Sequence, residues 1–162
     1  AANLVNHDRP AVVWVHTNAE GDLLESIISG AKQVAGRTPD DEKEQIFQDF
    51  ANGNLRVIVI KPKIGAHGLN WQHCSHVVTF ASHSYEQYYQ SVRRCWRFGQ
   101  KSPVKVDVIA SVGECRVLEN MKRKAVQADL MFQKLVTHMG EQLQQKQKRN
   151  TKTEKEELPS WL

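Results

Sequence analysis

The chain has 162 residues, a formal net charge of +4, 40% hydrophobic residues and 25% charged residues. This balance indicates one soluble domain with a single core, and its apolar runs are too short to cross a bilayer. Three widely spaced cysteines argue against a disulfide framework, so we expect a cytoplasmic or otherwise intracellular protein, and the mild basicity permits a phosphate-rich partner without proving one.

The first half of the chain predicts alternating strands and helices. The apolar run at residues 11–16 predicts a strand, and leucine and isoleucine at helical spacing predict a helix over residues 18–30. A short strand near residues 33–35 leads into a second helix. We expect that helix to begin with a capping box between Thr38 and Asp41 and to end at the Asn-Gly pair that follows its last phenylalanine.

The second half continues the alternation. Three apolar runs predict strands at residues 55–60, 76–80 and 104–110, and helical periodicity predicts helices at residues 84–98 and 114–145. Strands that alternate with helices predict an α/β fold. Because the strands are apolar throughout, we expect a mostly parallel central sheet covered by helices on both faces, plus a long C-terminal helix.

The chain is expected to divide near its end. Residues 1–140 would form the domain, with the terminal helix as a brace, and the polar residues 141–162 would form a flexible tail. Histidines and Cys74 crowd residues 67–76, but they lack the Cys-x-x-Cys or His-x-x-x-His spacing of zinc sites, so we predict no metal site in this chain.

One helix carries the strongest functional signal. On a helix that begins at Ser84, a polar patch falls within an arc of roughly 100°, and it consists of Gln90, Arg93, Arg94 and Arg97. The opposite face is expected to pack on the sheet, and it consists of Tyr85, Tyr88, Tyr89, Val92 and Trp96. Guanidinium geometry suits a phosphate, whereas a solvated basic face with ordinary ion pairs is the alternative from charge alone.

The order of residues in this helix resembles motif VI of superfamily-two helicases. Q-x-x-x-R-x-x-R-x-G-Q runs from Gln90 to Gln100 and is followed by K-x-P-V, as in the Swi/Snf-type branch. The resemblance implies a three-layer RecA-like fold and the second lobe of an ATP-driven motor. It implies that Arg97 is the arginine finger, which stabilises charge on the transferring phosphoryl group. Arg94 would be the second phosphate contact, and Gln90 would support both.

Residues 61–72, KPKIGAHGLNWQ, resemble motif V of the same family. The resemblance implies that Gly68 and Asn70 contact the nucleotide. Pro62 stands where the family usually has a hydroxyl residue, and it has neither a hydroxyl nor an N–H donor. The contact to nucleic acid at the start of the loop is therefore assigned to charge, carried by Lys61 and Lys63.

Residues 11–18, AVVWVHTN, resemble motif IV, a strand that leads into a loop near the nucleic acid. The resemblance places Thr17 and Asn18 on the nucleic-acid track. The segment from Val34 to Phe50 resembles the next family segment, a strand end followed by a capped helix. The resemblance therefore extends over most of the chain in the right order.

No G-x-x-x-x-G-K-[ST] sequence occurs in the chain, so the phosphate-binding loop is expected on another lobe. The implied partners are an N-terminal RecA-like lobe with the Walker A and B motifs, which would hold most of the ATP and Mg²⁺, and duplex DNA. The expected activity is ATP-dependent translocation, absent from this chain alone. The alternative is a stand-alone nucleic-acid- or protein-binding module with a RecA-like fold and no motor activity.

Overall fold

Five parallel strands form the central sheet, in the order β2-β3-β1-β4-β5. In chain order the strands are β1 (Ala11–Trp14), β2 (Ala31–Val34), β3 (Val57–Ile60), β4 (His76–Phe80) and β5 (Lys105–Ile109). The computed structural model describes residues 1–64, 69–82 and 84–153. The predicted parallel α/β fold is confirmed.

In the part of the chain that the structure describes, four α-helices connect or follow these strands. They are α1 (Asn18–Ile27), α2 (Asp40–Ala51), α3 (Tyr85–Arg93) and α4 (Cys115–Thr153). α2 begins without the predicted capping box, because the Thr38 hydroxyl accepts a hydrogen bond from the Ala35 amide at 3.1 Å and Pro39 occupies the cap position. α4 continues beyond the end predicted near Gln145, and residues 154–162 of the predicted tail lie outside the described residues.

Alternate residues of the strands point to opposite faces of the sheet, and each face is covered by different elements. On one face, Val12 and Ile58 pack in a cluster with Phe50 of α2. On the other face, Val13 and Val59 pack in a cluster that includes residues of α1 and its C-terminal cap. Burial of the strands on both faces explains why their sequences are continuously apolar.

The N-terminal segment is held near the amino ends of the strands, opposite their carboxyl ends. The imidazole of His76 is 2% exposed. It forms hydrogen bonds with the His7 ring at 2.8 Å and with the Asp107 carboxylate at 2.7 Å. The Arg56 guanidinium donates to the carbonyls of Val5 and His7 at 2.8 and 2.7 Å. The bonds to His7 and Asp107 satisfy the buried His76 imidazole, which would otherwise be costly to desolvate, and the Arg56 bonds hold the N-terminal segment in place.

The chain divides into two compact units, residues 1–121 and residues 122–162. In the second unit, apolar side chains of α4 such as Phe132 and Met139 are exposed. The domain boundary at residue 140 and the brace role of α4 stay predictions. Within the described residues, no helix is both long enough and apolar enough to cross a membrane.

Candidate functional site

The direction of the strand connections indicates where a ligand would bind. β1 connects through α1 to β2, at one edge of the sheet, whereas β4 connects through α3 to β5, at the other edge. β1 and β4 are neighbours, so the connections diverge between them. In open α/β sheets, ligands bind outside the carboxyl ends of the strands at such a point. The segments that follow β1, β3 and β4 are therefore the expected position of a site.

α3, which follows β4, ends earlier than the sequence predicts. Its last residue is Arg93, and the amides of Cys95 and Trp96 both donate to the Val92 carbonyl, at 3.1 and 2.9 Å. Because two successive amides share one carbonyl, the chain leaves the regular helix here. The prediction that the helix continues to Phe98 was wrong, and the arginines at its end lie partly on a turn.

α3 also packs on the sheet with a different face from the predicted one. Ser91 and Cys95 are buried and Val92 is half-buried, whereas Tyr89 and Trp96 are 39% and 54% exposed. Cys95 lies in the core cluster with Val92 packed against it, whereas the larger rings remain exposed. The predicted anchoring face was therefore wrong for Tyr89 and Trp96.

The structure brings together Gln90, Arg94 and Arg97, which line one surface depression of about 390 Å³ with Arg93 and Phe98. Arg94 is half-buried, and its pKa is lowered, first by burial and then by repulsion from Arg97. Two guanidiniums that repel each other form a favourable place for an anion. A phosphate, which accepts paired N–H bonds, has the geometry that such a pair prefers.

Arg93 makes a different kind of contact from its two neighbours. Its guanidinium lies over the rings of Tyr89 and Trp96, 5.7 and 5.1 Å from their centroids. At an exposed position such a cation–π contact stabilises by about 0.5–1 kcal/mol. The exposed aromatic rings therefore have a structural use, which is to hold Arg93.

A second cavity, of about 230 Å³, lies between α3 and the segment that follows β3. Gln90 and Arg94 line this cavity as well as the depression, and Lys63 joins them from the β3 side. Trp14, at the end of β1, also lines it. The indole N–H of Trp14 is buried and has no hydrogen-bond partner among the described residues. Sequence reasoning missed Trp14, since its apolar neighbours suggested a core residue only.

Four other predicted residues that the structure describes, namely Asn70, Lys61, Thr17 and Asn18, do not line either of these two cavities. Asn70 is exposed and Lys61 is half-buried, and neither lines the 230 Å³ cavity or the depression. Gly68 lies outside the described residues. Thr17 caps α1 and Asn18 is its first residue, at the carboxyl end of β1. Lys63 is thus the one predicted nucleic-acid residue that the described part of the structure brings into a cavity with Gln90 and Arg94.

Thr17 has a structural role beside the predicted one. Its hydroxyl accepts a hydrogen bond from the Glu20 amide at 3.2 Å, and the Glu20 carboxylate accepts from the amides of His16 and Thr17 at 2.8 and 3.0 Å. Burial alone would raise the pKa of Glu20, but these donated bonds outweigh burial and lower it. The capping box fixes the loop between β1 and α1.

Comparison with known proteins places most of the first unit in one family of sequences. The profile of the helicase conserved C-terminal domain matches residues 2–99. A bifunctional helicase and thymine dioxygenase, JBP2, of Leishmania braziliensis is 33% identical over 110 residues, which is 66% of this chain and 10% of that protein. The ATP-dependent RNA helicase fal1 of Aspergillus oryzae is 29% identical over 117 residues, covering 69% of this chain and 29% of that protein.

Solved structures show the same fold. The crystal structure of the C-terminal part of the Fun30 ATPase domain matches with a TM-score of 0.62 and 17% identity, over 73% of this chain and 41% of that one. The C-terminal domain of the DEAD-box protein Dbp5 matches with a TM-score of 0.60 and 16% identity, over 75% of this chain and 73% of that one. The chain spans less than a third of the length of each of the two curated relatives.

Proposed function

This chain belongs to the family of helicase conserved C-terminal domains, and from that premise we propose that it is the second motor lobe of an ATP-dependent helicase or DNA translocase. The observation that carries the proposal is the depression shared by Gln90, Arg94 and Arg97. Its two mutually repelling guanidiniums are suited to a phosphate that is bound on another lobe.

In this proposal the arginines act on charge that develops during hydrolysis. Arg97, which is exposed and carried on a turn, is the arginine finger that stabilises the transferring phosphoryl group. Arg94 contacts the phosphates from a half-buried position, and Gln90 supports it with a polar side chain. ATP, when bound between the lobes, supplies the phosphoryl group that is transferred to water.

The metal and the attacking water are assigned to the other lobe. Within the described part of the chain, no three His, Cys, Asp or Glu residues gather as a metal site. Mg²⁺ in such enzymes is held by the P-loop hydroxyl and the Walker B carboxylate. The N-terminal lobe, which carries both motifs, is therefore the required partner, and Asn70 and Gly68 are proposed to contact the nucleotide from this lobe.

The nucleic-acid track is proposed at the carboxyl edge of the sheet. Thr17 and Asn18 at the start of α1, with Lys61 and Lys63 after β3, would contact the phosphates of duplex DNA. Contacts to the backbone bind without sequence preference and weaken as salt increases. Closing the two lobes on ATP and opening them after hydrolysis would then move this lobe along the DNA.

The test uses the longer protein that joins this lobe to its P-loop lobe, with Arg97→Ala as the variant. Removal of an arginine finger lowers turnover by about 10³- to 10⁵-fold, so we expect DNA-stimulated ATP hydrolysis to be lost while ATP binding persists. Arg116→Ala, which removes an exposed arginine from the start of α4, is the matched control and should hydrolyse ATP as the parent does.

Two results would contradict the proposal. Turnover that survives Arg97→Ala would remove Arg97 from the finger role. Tight nucleic-acid or protein binding by this domain, with no ATP hydrolysis by the longer protein, would favour a binding module without motor activity.

A further inference from the structure

The turn that carries Arg94 and Arg97 is hydrogen-bonded to the segment that precedes β4. The amide of Trp71 donates to the Arg94 carbonyl at 3.1 Å, and the side-chain amide of Gln72 donates to the Phe98 carbonyl. These two bonds hold the first and last parts of the turn. The last carbonyls of a helix have no partner within the helix, so donors from the Trp71 segment satisfy carbonyls in the turn that follows Arg93.

Gln100 makes the central contact between the same two segments. Its side-chain nitrogen lies 3.0 Å from the Cys74 carbonyl oxygen and 3.2 Å from the Cys95 carbonyl oxygen, so one amide group donates to both. Its side-chain oxygen accepts from the Ser102 amide at 3.1 Å, and its own amide donates to the Arg97 carbonyl at 3.1 Å. Both hydrogens of the side-chain amide and its oxygen are therefore used.

The parts of the chain that Gln100 joins are buried in the core. Cys74 and Cys95 are fully buried in the same core cluster as Trp71. Gly99 has a φ of +93°, which lets the chain reverse directly after the turn. The turn thus has one face in the core, one glycine reversal and hydrogen bonds from two glutamine side chains, while Arg97 projects from an exposed position.

We infer that Gln100, assisted by Gln72, is a positioning residue that fixes the backbone of the Arg94–Arg97 turn before any phosphate arrives. It acts through the arginines and does not itself touch the nucleotide. The physical advantage is that two repelling guanidiniums are kept near their working position without relying on a bound anion to order them. This inference rests on the proposed function, because positioning matters only if the arginines meet a phosphate.

The first test measures the turn itself and needs no enzyme activity. Gln100→Met removes the donated bonds without adding charge, and Gln100→Glu replaces the donor with an oxygen that faces two carbonyl oxygens. Amide hydrogen exchange of Trp71 should become faster in the order wild type, Met variant, Glu variant. The Val15 amide, which bonds to Ile60 in the sheet, should keep its rate in both variants and so report an intact fold.

Gln133→Glu is the matched control, because it makes the same chemical change at an exposed position on α4, outside the turn. It should leave exchange at Trp71 unchanged. If the Trp71 amide exchanges at the wild-type rate in the Met and Glu variants, Gln100 does not fix the turn and the inference is refuted.

The second test uses the longer protein with its P-loop lobe. A displaced catalytic group costs roughly 10- to 100-fold in rate, so we expect Gln100→Met to lower kcat by that factor while the dissociation constant of ATP stays near the parent value. A wild-type kcat combined with faster exchange at Trp71 would refute positioning.

Failure of the proposed function would have a different signature. In that case Arg97→Ala would retain turnover, while the exchange measurements would still report whether Gln100 holds the turn.

Discussion

Arg97 and Arg93 lie on the same surface depression, yet the structure predicts opposite effects of their removal on stability. The pKa of the half-buried Arg94 is lowered first by burial and then by repulsion from Arg97, whereas Arg93 lies over the rings of Tyr89 and Trp96. We therefore expect Arg97→Ala to raise the free energy of unfolding of the isolated chain, and Arg93→Ala to lower it.

The expected changes in the free energy of unfolding are small and opposite in sign. Exposed charge pairs contribute about 0.2–1 kcal/mol, so removal of the repulsion should stabilise the chain by that amount at low salt. Loss of the cation–π contacts in Arg93→Ala should cost about 0.5–1 kcal/mol. The first effect should vanish near 1 M salt, where the Debye length is about 3 Å, because Arg97 is exposed to solvent.

The assay is urea unfolding of the wild-type chain and both variants, at low salt and at high salt, with the midpoint concentration as the readout. If the slopes of unfolding free energy against urea concentration are equal, the denatured state is unchanged. The reasoning would be refuted if Arg97→Ala lowered the midpoint at low salt, or if a gain in stability persisted unchanged at high salt. Addition of inorganic pyrophosphate should reduce the difference in urea midpoint between wild type and Arg97→Ala, because the anion relieves the same repulsion between Arg94 and Arg97.

Two further stability predictions test the scaffold of the site. Glu20→Ala should lower the free energy of unfolding by about 0.5–2 kcal/mol at pH 7, because it removes the capping box of α1. The pKa of Glu20 is lowered in the folded chain, so its contribution to the free energy of unfolding is fully present above the unfolded pKa. The difference in unfolding free energy between wild type and Glu20→Ala should therefore shrink as the pH falls below about 4. An unchanged difference at acid pH would contradict that assignment. Phe50→Ala should cost about 3–5 kcal/mol in urea unfolding, because the buried ring packs edge-on against Trp71 at a centroid distance of 5.3 Å. Phe47→Ala, at a half-buried position on the same helix, should cost less, and equal losses would contradict the assigned core.

Sequence pattern predicted the fold because the signals are local. Continuous apolar runs such as residues 57–60 can be satisfied only when helices cover both faces of a sheet, and alternation of strands with helices makes parallel pairing the expected result. The order of the motif residues also predicted which side chains would meet, and Gln90, Arg94 and Arg97 do share one depression. Their roles toward a phosphate stay predictions.

Tertiary contacts decided what the sequence alone could not. A helical wheel assumed that α3 continues past Arg93 and that its largest rings face the core, whereas Ser91 and Cys95 face it instead. The turn that follows the helix accepts hydrogen bonds from Trp71 and Gln72, and such long-range bonds leave no periodic trace in the sequence. The sequence thus determined the identity of the arginines, and the hydrogen bonds between the turn and the segment that precedes β4 determined how its backbone is held.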